Sequence, residues 1–344
     1  MLDVNGPLPF RAVSNSPPLF RAREAAARRP LKTEEHMAKA FDKDSWLAQK
    51  EQRLQDAKTA LEEGLKALQS SDDWRRMLEG MAQVGALSVG RYSFQNQVLI
   101  WQQRPGTRLA ATFQTWKEHG RFVRKGENGI GILAPVVKNV AEDADDETKG
   151  LRLVGFRLVT VFRVDQTDGD ALPEVQLPNI TADEAFEGSV ETFREIALSI
   201  DGNPVSGMEL RARQEGDPRS ALGWYNPKTK HIVVLTDGQS RAQQFSTLCH
   251  EVAHALLHPI GDPHGAPERE VEAESTAFVI CHALGLDTSK ASFPYVAVWA
   301  SRDRDEDPLK LIATSGQRIT KAATRILDAL CAKSMAPPGV NAVA

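Results

Sequence analysis

The sequence predicts an α+β protein of two domains: N-terminal helices with a small antiparallel sheet, then a mixed helix-and-sheet domain. Three observations carry this prediction. Residues 43–103 repeat apolar positions at helical spacing, residues 151–169 alternate as strands do, and residues 183–285 combine both patterns beyond a proline-punctuated break. At 344 residues the chain exceeds one typical domain and can build sizeable cores.

The elements follow in order. Residues 1–40, including "PLPFRAVSNSPPLFRAREAAARRP", read as a disordered basic, Pro-rich tail, with Met37 as an alternative start. Two amphipathic helices are expected at about 43–69 and 72–84, and a third over "YSFQNQVLIWQQ", residues 92–103. In the next stretch, "RPGTRLAATFQTWKEHGRFVRKGENGIGILAPVV", the cations Arg104, Arg108, Lys117, Arg121, Arg124 and Lys125 are opposed only by Glu118 and Glu127. Phe113, Trp116 and Phe122 are interleaved with them. Single-stranded nucleic acid is held by this mixture, because cations follow the backbone and rings stack on unpaired bases at about 1–3 kcal/mol each. A basic loop over a small sheet with core aromatics has the same composition.

"LRLVGFRLVTVFRVDQTDG" alternates like strands, and the acidic "EDADDETKG" before it predicts a hairpin loop. "LPEVQLPNITADEAF" fits a linker leading into a helix at about 182–200. The expected divisions are a first domain at 41–175, a linker at 176–182, a second domain at 183–335 and a disordered tail at 336–344. "ALGWYNPKTKHIVVL" predicts a hairpin, with Asn226-Pro227-Lys228-Thr229 at the turn and a β-branched strand from His231 to Leu235.

That strand leads into "FSTLCHEVAHALLHP", residues 245–259. Phe245, Leu248, Cys249, Val252 and Leu256 form one apolar stripe at three- and four-residue steps, so His250, His254 and His258 fall on the opposite side with Glu251 beside them. Ser240 suits the N-cap, and the helix should stop at His258 because Pro259 disfavours helical geometry in the residue before it.

His250, Glu251 and His254 make H-E-x-x-H. Residues four apart stand about 6 Å apart along the axis, so both imidazoles can converge on one Zn²⁺. Glu251 sits beside the metal without binding it and can move a proton from an attacking water to a leaving amine. A third ligand is expected from a second helix, "PEREVEAESTAFVICHALGLD", beginning near Glu268 and closing at Gly285. Glu270 is assigned as that ligand and Glu274 as an acceptor that orients an imidazole; the exchange of these two roles stays open, and Glu272 points elsewhere. His258 lies about 12 Å along the axis from His250, too far to share its metal, and reads as a packing or supporting residue. His264 reads as a loop histidine, and Tyr225 and His231 as hairpin packing or an aid to an oxyanion.

Composition limits the function classes. Apolar residues make up 41 % and charged residues 26 %, as in soluble globular proteins. No apolar run approaches a membrane span or a signal peptide, which predicts a cytoplasmic protein with no membrane partner. Cys249, Cys281 and Cys331 sit in helical patterns without C-x-x-C spacing and read as thiols in a reducing compartment. The net charge of −4 provides no global attraction to nucleic acid, so any such attraction is local.

"HEVAH" followed by "EVEAESTAF" resembles the zincin metallopeptidases, and more narrowly the ImmA/IrrE-type peptidases and the metallopeptidase domain of ArdC-type antirestriction proteins, over roughly residues 183–335. Glu270-x-x-Ala273-Glu274 resembles the family's glutamate helix. Residues 92–169 resemble the N-terminal single-stranded-DNA-binding domain of ArdC-type proteins through "YSFQNQVLIWQQRPG", "FQTWKEHGRFVRKGENGIGILAP" and "VFRVDQTDG". The resemblance implies single-stranded DNA binding by the first domain, with Trp116, Arg121, Arg124 and Lys125 as contacts. It also implies a second, zincin-like metallopeptidase domain with one Zn²⁺ per chain, an unknown protein substrate, and a role in antirestriction. The long basic tail departs from the family pattern.

Two rivals use the same residues: an ImmA-like regulatory protease that cleaves a repressor, and a DNA-binding protein whose metal is structural. Mn²⁺ or Co²⁺ would suit the same ligands. A nuclease is disfavoured, since one H-E-x-x-H lacks the paired metals common in phosphodiester cleavage.

Overall fold

In a computed structural model of the chain, the structure describes residues 43–85, 91–140, 150–172, 180, 183–200, 204–288, 293 and 307–334. The expected tails at 1–40 (with Met37) and 336–344, the acidic loop at 141–149 and all of the 176–182 linker but Ile180 lie outside the described residues. The described residues from Leu47 onward form one compact unit.

The described residues open with three helices, α1 (Lys43–Ala67), α2 (Ser71–Gly85) and α3 (Phe94–Gln103), each within about two residues of its expected bounds. A strand-rich stretch follows: β1 (Ala110–Thr112), a short helix α4 (Phe113–Glu118), β2 (Arg121–Val123), β3 (Ile130–Val140), β4 (Gly150–Arg163) and β5 (Thr167–Gly169). The second half contains α5 (Asp183–Leu198), β6 (Gly207–Arg211), β7 (Gly223–Asn226), β8 (His231–Leu235), α6 (Arg241–Leu257), α7 (Ala266–Ala283) and α8 (Pro308–Ser334). The expected mixture of helices and small antiparallel sheets is therefore observed.

Among the described residues the strands make three small sheets, ordered β1-β4-β3, β2-β5 and β6-β8-β7. The first two are antiparallel; in the third, β6 runs parallel to β8 and β7 antiparallel to it. The β7–β8 turn closes because the Asn226 side chain accepts from the Lys228 and Thr229 N–H groups. β6 was not anticipated: five residues carrying Glu209 and Arg211 give little alternation, and its partner β8 is distant in sequence.

Helix α3 covers the edge of β3. Asn96 and Gln103 lie about two turns apart on one face. Asn96 accepts from Leu133 N–H at 2.9 Å and donates to its carbonyl at 2.8 Å. Gln103 does the same at Gly131, at 2.9 and 2.8 Å. The two amides act as a substitute strand and blunt an edge that would otherwise be open to pairing.

One core crosses the expected domain boundary. Trp74 of α2 and Phe94 of α3 are fully buried in the same cluster as Phe245 of α6, Phe278 of α7 and Ile326 of α8. The Trp74 indole N–H donates to Ser275 Oγ at 2.9 Å, the partner a buried indole requires. Among the described residues no helix is long and apolar enough to cross a membrane.

Candidate metal centre

The site is built on α6 and α7. Ser240 caps α6, accepting from Gln243 N–H while Gln243 reaches back to the Ser240 N–H. The helix ends at Leu257 with His258 as its C-cap, before Pro259. Phe245, Leu248, Cys249 and Val252 are fully buried, and Phe245 meets Phe193 of α5 edge to face at 5.4 Å. The stripe thereby turns His250 and His254 toward α7. Helix α7 stops at Gly285, whose φ of 72° carries the left-handed step that follows Leu284.

His250 Nε2 and His254 Nε2 stand 3.0 Å apart. Glu270 brings one carboxylate oxygen to 3.4 Å from the first and the other to 3.5 Å from the second. Ligand atoms around a tetrahedral ion bound at 2.0–2.1 Å lie about 3.3–3.4 Å from one another, so this donor set suits one divalent ion. Glu274 lies on the far side of the His250 ring, its oxygen 3.3 Å from Nδ1. Glu272 faces away from the trio and is completely buried.

Glu251 is 7 % exposed and does not join the trio. Burial lifts its carboxyl to about 7, against the opposing pull of the His250 charge and of a hydrogen bond from the Tyr225 N–H. That bond depends on a close approach of β7 to α6 at Gly223. A Cβ there would lie 2.6 Å from Thr247 Cγ2 and 2.8 Å from the Val233 carbonyl, so a side chain would push the strand away.

Burial alone would depress His250, but hydrogen bonds to Glu270 and Glu274 and the Glu251 charge outweigh it and raise the ring to about 10. Burial lowers His254. Glu270 is held well below the ordinary carboxylate range by its bonds to His250 and His254. The cluster thus concentrates negative charge where a cation would sit.

Behind His254, its Nδ1 lies 3.0 Å from His258 Nδ1, and His258 Nε2 lies 3.0 Å from Glu272 Oε2. Arg318 of α8 donates Nε–H to the same Glu272 oxygen at 2.9 Å, Nη2 to Asp262 Oδ2 at 2.9 Å, and also to the Leu257 carbonyl. His264 joins at Asp262 Oδ1, 2.9 Å from its Nδ1. Arg318 was missed in the sequence reading, although α8 is legible there: Ile312, Ile319, Ala323, Ile326 and Leu330 keep helical spacing. His231, at the start of β8, lies 3.3 Å from Glu209 of the neighbouring β6.

Of the four residues expected to contact DNA, Trp116 is the one the structure corrects. Trp116 is fully buried and its indole donates to the Phe162 carbonyl at 2.8 Å, so its ring has no free face for a base. Arg121 spends its guanidinium on Thr167 and on the Asp170 carbonyl, which ties β2 to β5. Arg124 is paired with Glu127 at 2.9 Å and Asp168 at 3.2 Å. Lys125 is exposed. The outward rings are Phe113 and Phe122, 54 % and 57 % exposed. Alternation is the signal for this: Val123 packs inward beside Trp116, so Phe122 points out.

The fold and site define a mixed α+β chain with a two-histidine, one-glutamate centre. Comparison with known families places the N-terminal domain of anti-restriction factor ArdC on residues 49–162 and the IrrE N-terminal-like domain, a peptidase family, on residues 206–290. Residues 49–162 therefore match an ArdC-type N-terminal domain and residues 206–290 an IrrE-like domain of metallopeptidase type, in the order the sequence resemblance implies. An uncharacterized protein of Bacillus anthracis is 27 % identical over 293 residues, covering 74 % of this chain and 48 % of that protein, so the chain spans about half its relative's length. The antirestriction protein ArdC from plasmid R388 is similar at 24 % identity. Its metal-free crystal structure has a TM-score of 0.43, covering 70 % of this chain and 86 % of that one. Its Mn(II)-bound structure has a TM-score of 0.44, covering 75 % and 98 %.

Proposed function

We propose that this is a cytoplasmic antirestriction-type protein that binds single-stranded DNA through residues 41–175 and hydrolyses peptide bonds through a zinc site in residues 183–335. The observation that carries the reading is the convergence of His250 Nε2, His254 Nε2 and Glu270 within 3.0–3.5 Å, with buried Glu251 on the same helix. His250, His254 and Glu270 would hold one Zn²⁺, and Glu274 would orient His250. A divalent ion bound there supplies polarisation of the scissile carbonyl and acidifies water.

The remaining steps belong to the chain's own groups. β7 is an edge strand, and an extended substrate can pair along it beside Glu251. Glu251 takes a proton from the attacking water onto its carboxylate and delivers it to the nitrogen of the leaving amine, and burial, which raises its carboxyl, helps it hold that proton between the two transfers. For DNA, Phe113 and Phe122 provide exposed rings, and Lys125 an exposed cation, on the basic stretch.

The test is elemental analysis of zinc-loaded wild type, His254→Ala and Glu270→Ala, with single-stranded DNA binding measured on the same samples. About one zinc per wild-type chain is expected, lost in both variants while DNA binding survives. Wild-type protein that takes up no zinc refutes the peptidase reading. Phe122→Ala is expected to weaken binding of a short oligonucleotide by roughly 5- to 150-fold, the loss of one stacked base at about 1–3 kcal/mol. Unchanged affinity in a fluorescence anisotropy titration would remove this face from the DNA site.

A further inference from the structure

For a neutral His258, the hydrogen bonds behind His254 admit one consistent arrangement of protons. Arg318 has only donors, so Glu272 Oε2 accepts from it and must also accept from His258. His258 therefore carries its proton on Nε2, and as a neutral ring it has a bare Nδ1. Across 3.0 Å that lone pair can only accept the His254 Nδ1–H, which leaves His254 Nε2 bare and turned toward His250 and Glu270. Protonation from this end gives the tautomer a metal ligand needs.

We propose that His258, anchored by Glu272 and Arg318, is a positioning residue that sets the tautomer and ring angle of His254 and so raises the affinity of the centre for its metal. The groups are placed for this and poorly placed for stability alone. Glu272 is entirely buried beneath Arg318, whose side chain is 25 % exposed, and a buried ion pair of this kind usually contributes little over an apolar replacement. Three elements converge on it: α6 through His258 and the Leu257 carbonyl, α7 through Glu272, and α8 through Arg318. Asp262 holds the outer edge of the guanidinium and ties in the loop between α6 and α7. Imidazole ligands commonly hand their second N–H to such a partner, and losing the partner typically costs 10- to 100-fold in metal affinity.

The inference rests on the metal-site reading above, and its test separates the two. Zn²⁺ affinity is measured by chelator competition on the full-length wild type, His258→Phe and His258→Gln, with melting curves of the metal-free proteins. His258→Phe has no acceptor and is expected to bind zinc about 10- to 100-fold more weakly; His258→Gln presents a carbonyl oxygen to the same proton and is expected to recover most of the loss. Equal affinity in wild type and His258→Phe overturns the proposal. Long-range ¹H–¹⁵N correlation of the imidazoles in zinc-loaded wild type gives an independent answer even where His258→Phe does not fold. A proton on Nε2 of His258 and Nδ1 of His254 is expected, and a proton on His258 Nδ1 overturns the proposal. A wild type that binds no zinc removes the metal reading itself, and this inference with it.

Discussion

Glu251→Gln is expected to lower polypeptide hydrolysis by about 10²–10⁴-fold while one zinc stays bound to each chain. The carboxamide matches the carboxylate in size, so the buried packing of Glu251 against β7 is preserved. It cannot accept the proton of the attacking water, and it lies outside the His250–His254–Glu270 trio. The measurement is mass spectrometry of the peptides released from a cell extract by wild type and variant, with metal content determined on both. Identical peptide patterns from the two proteins would mean that the metal is structural. A single new fragment from a repressor, dependent on Glu251, would favour the regulatory-protease rival.

Trp74→Ala is expected to destabilise the protein by about 3–5 kcal/mol. Trp74 is fully buried, its ring centroid lies 6.0 Å from that of Phe94, and its N–H is satisfied by Ser275 of α7. Removing it opens a cavity at the junction of α2, α3 and α7 and leaves the Ser275 hydroxyl without this donor. Trp74→Phe keeps most of the apolar volume and should cost less. Urea unfolding monitored by circular dichroism reads the difference. A loss under about 1 kcal/mol for Trp74→Ala would show that the N-terminal helices do not share their core with the C-terminal half in solution.

Much of this molecule is written locally. The stripe through Phe245, Leu248, Cys249 and Val252, the Ser240 cap, the Pro259 stop and the turn at Asn226 each depend on residues within a few positions of one another, so they can be read from spacing and backbone preference alone. The H-E-x-x-H spacing is of the same kind, because a helix converts four residues into a fixed separation of two imidazoles. Local chemistry was ambiguous where one composition fits two environments. Trp116 among cations reads as a stacking ring, yet its indole serves the Phe162 carbonyl in a small core, and the neighbouring Phe122 is the ring left outside.

The sequence by itself thus determined the helices, the hairpin, the candidate ligands and the class of chemistry they suit, because each follows from short-range periodicity. Tertiary structure alone decided which carboxylate meets both imidazoles, that β6 joins β8, that Trp74 is buried against α7, and that Arg318 reaches Glu272 across 46 positions of sequence. Those pairings depend on how helices and strands pack. Packing responds to the shape and charge of surfaces brought together from distant parts of the chain, which spacing along one segment does not encode.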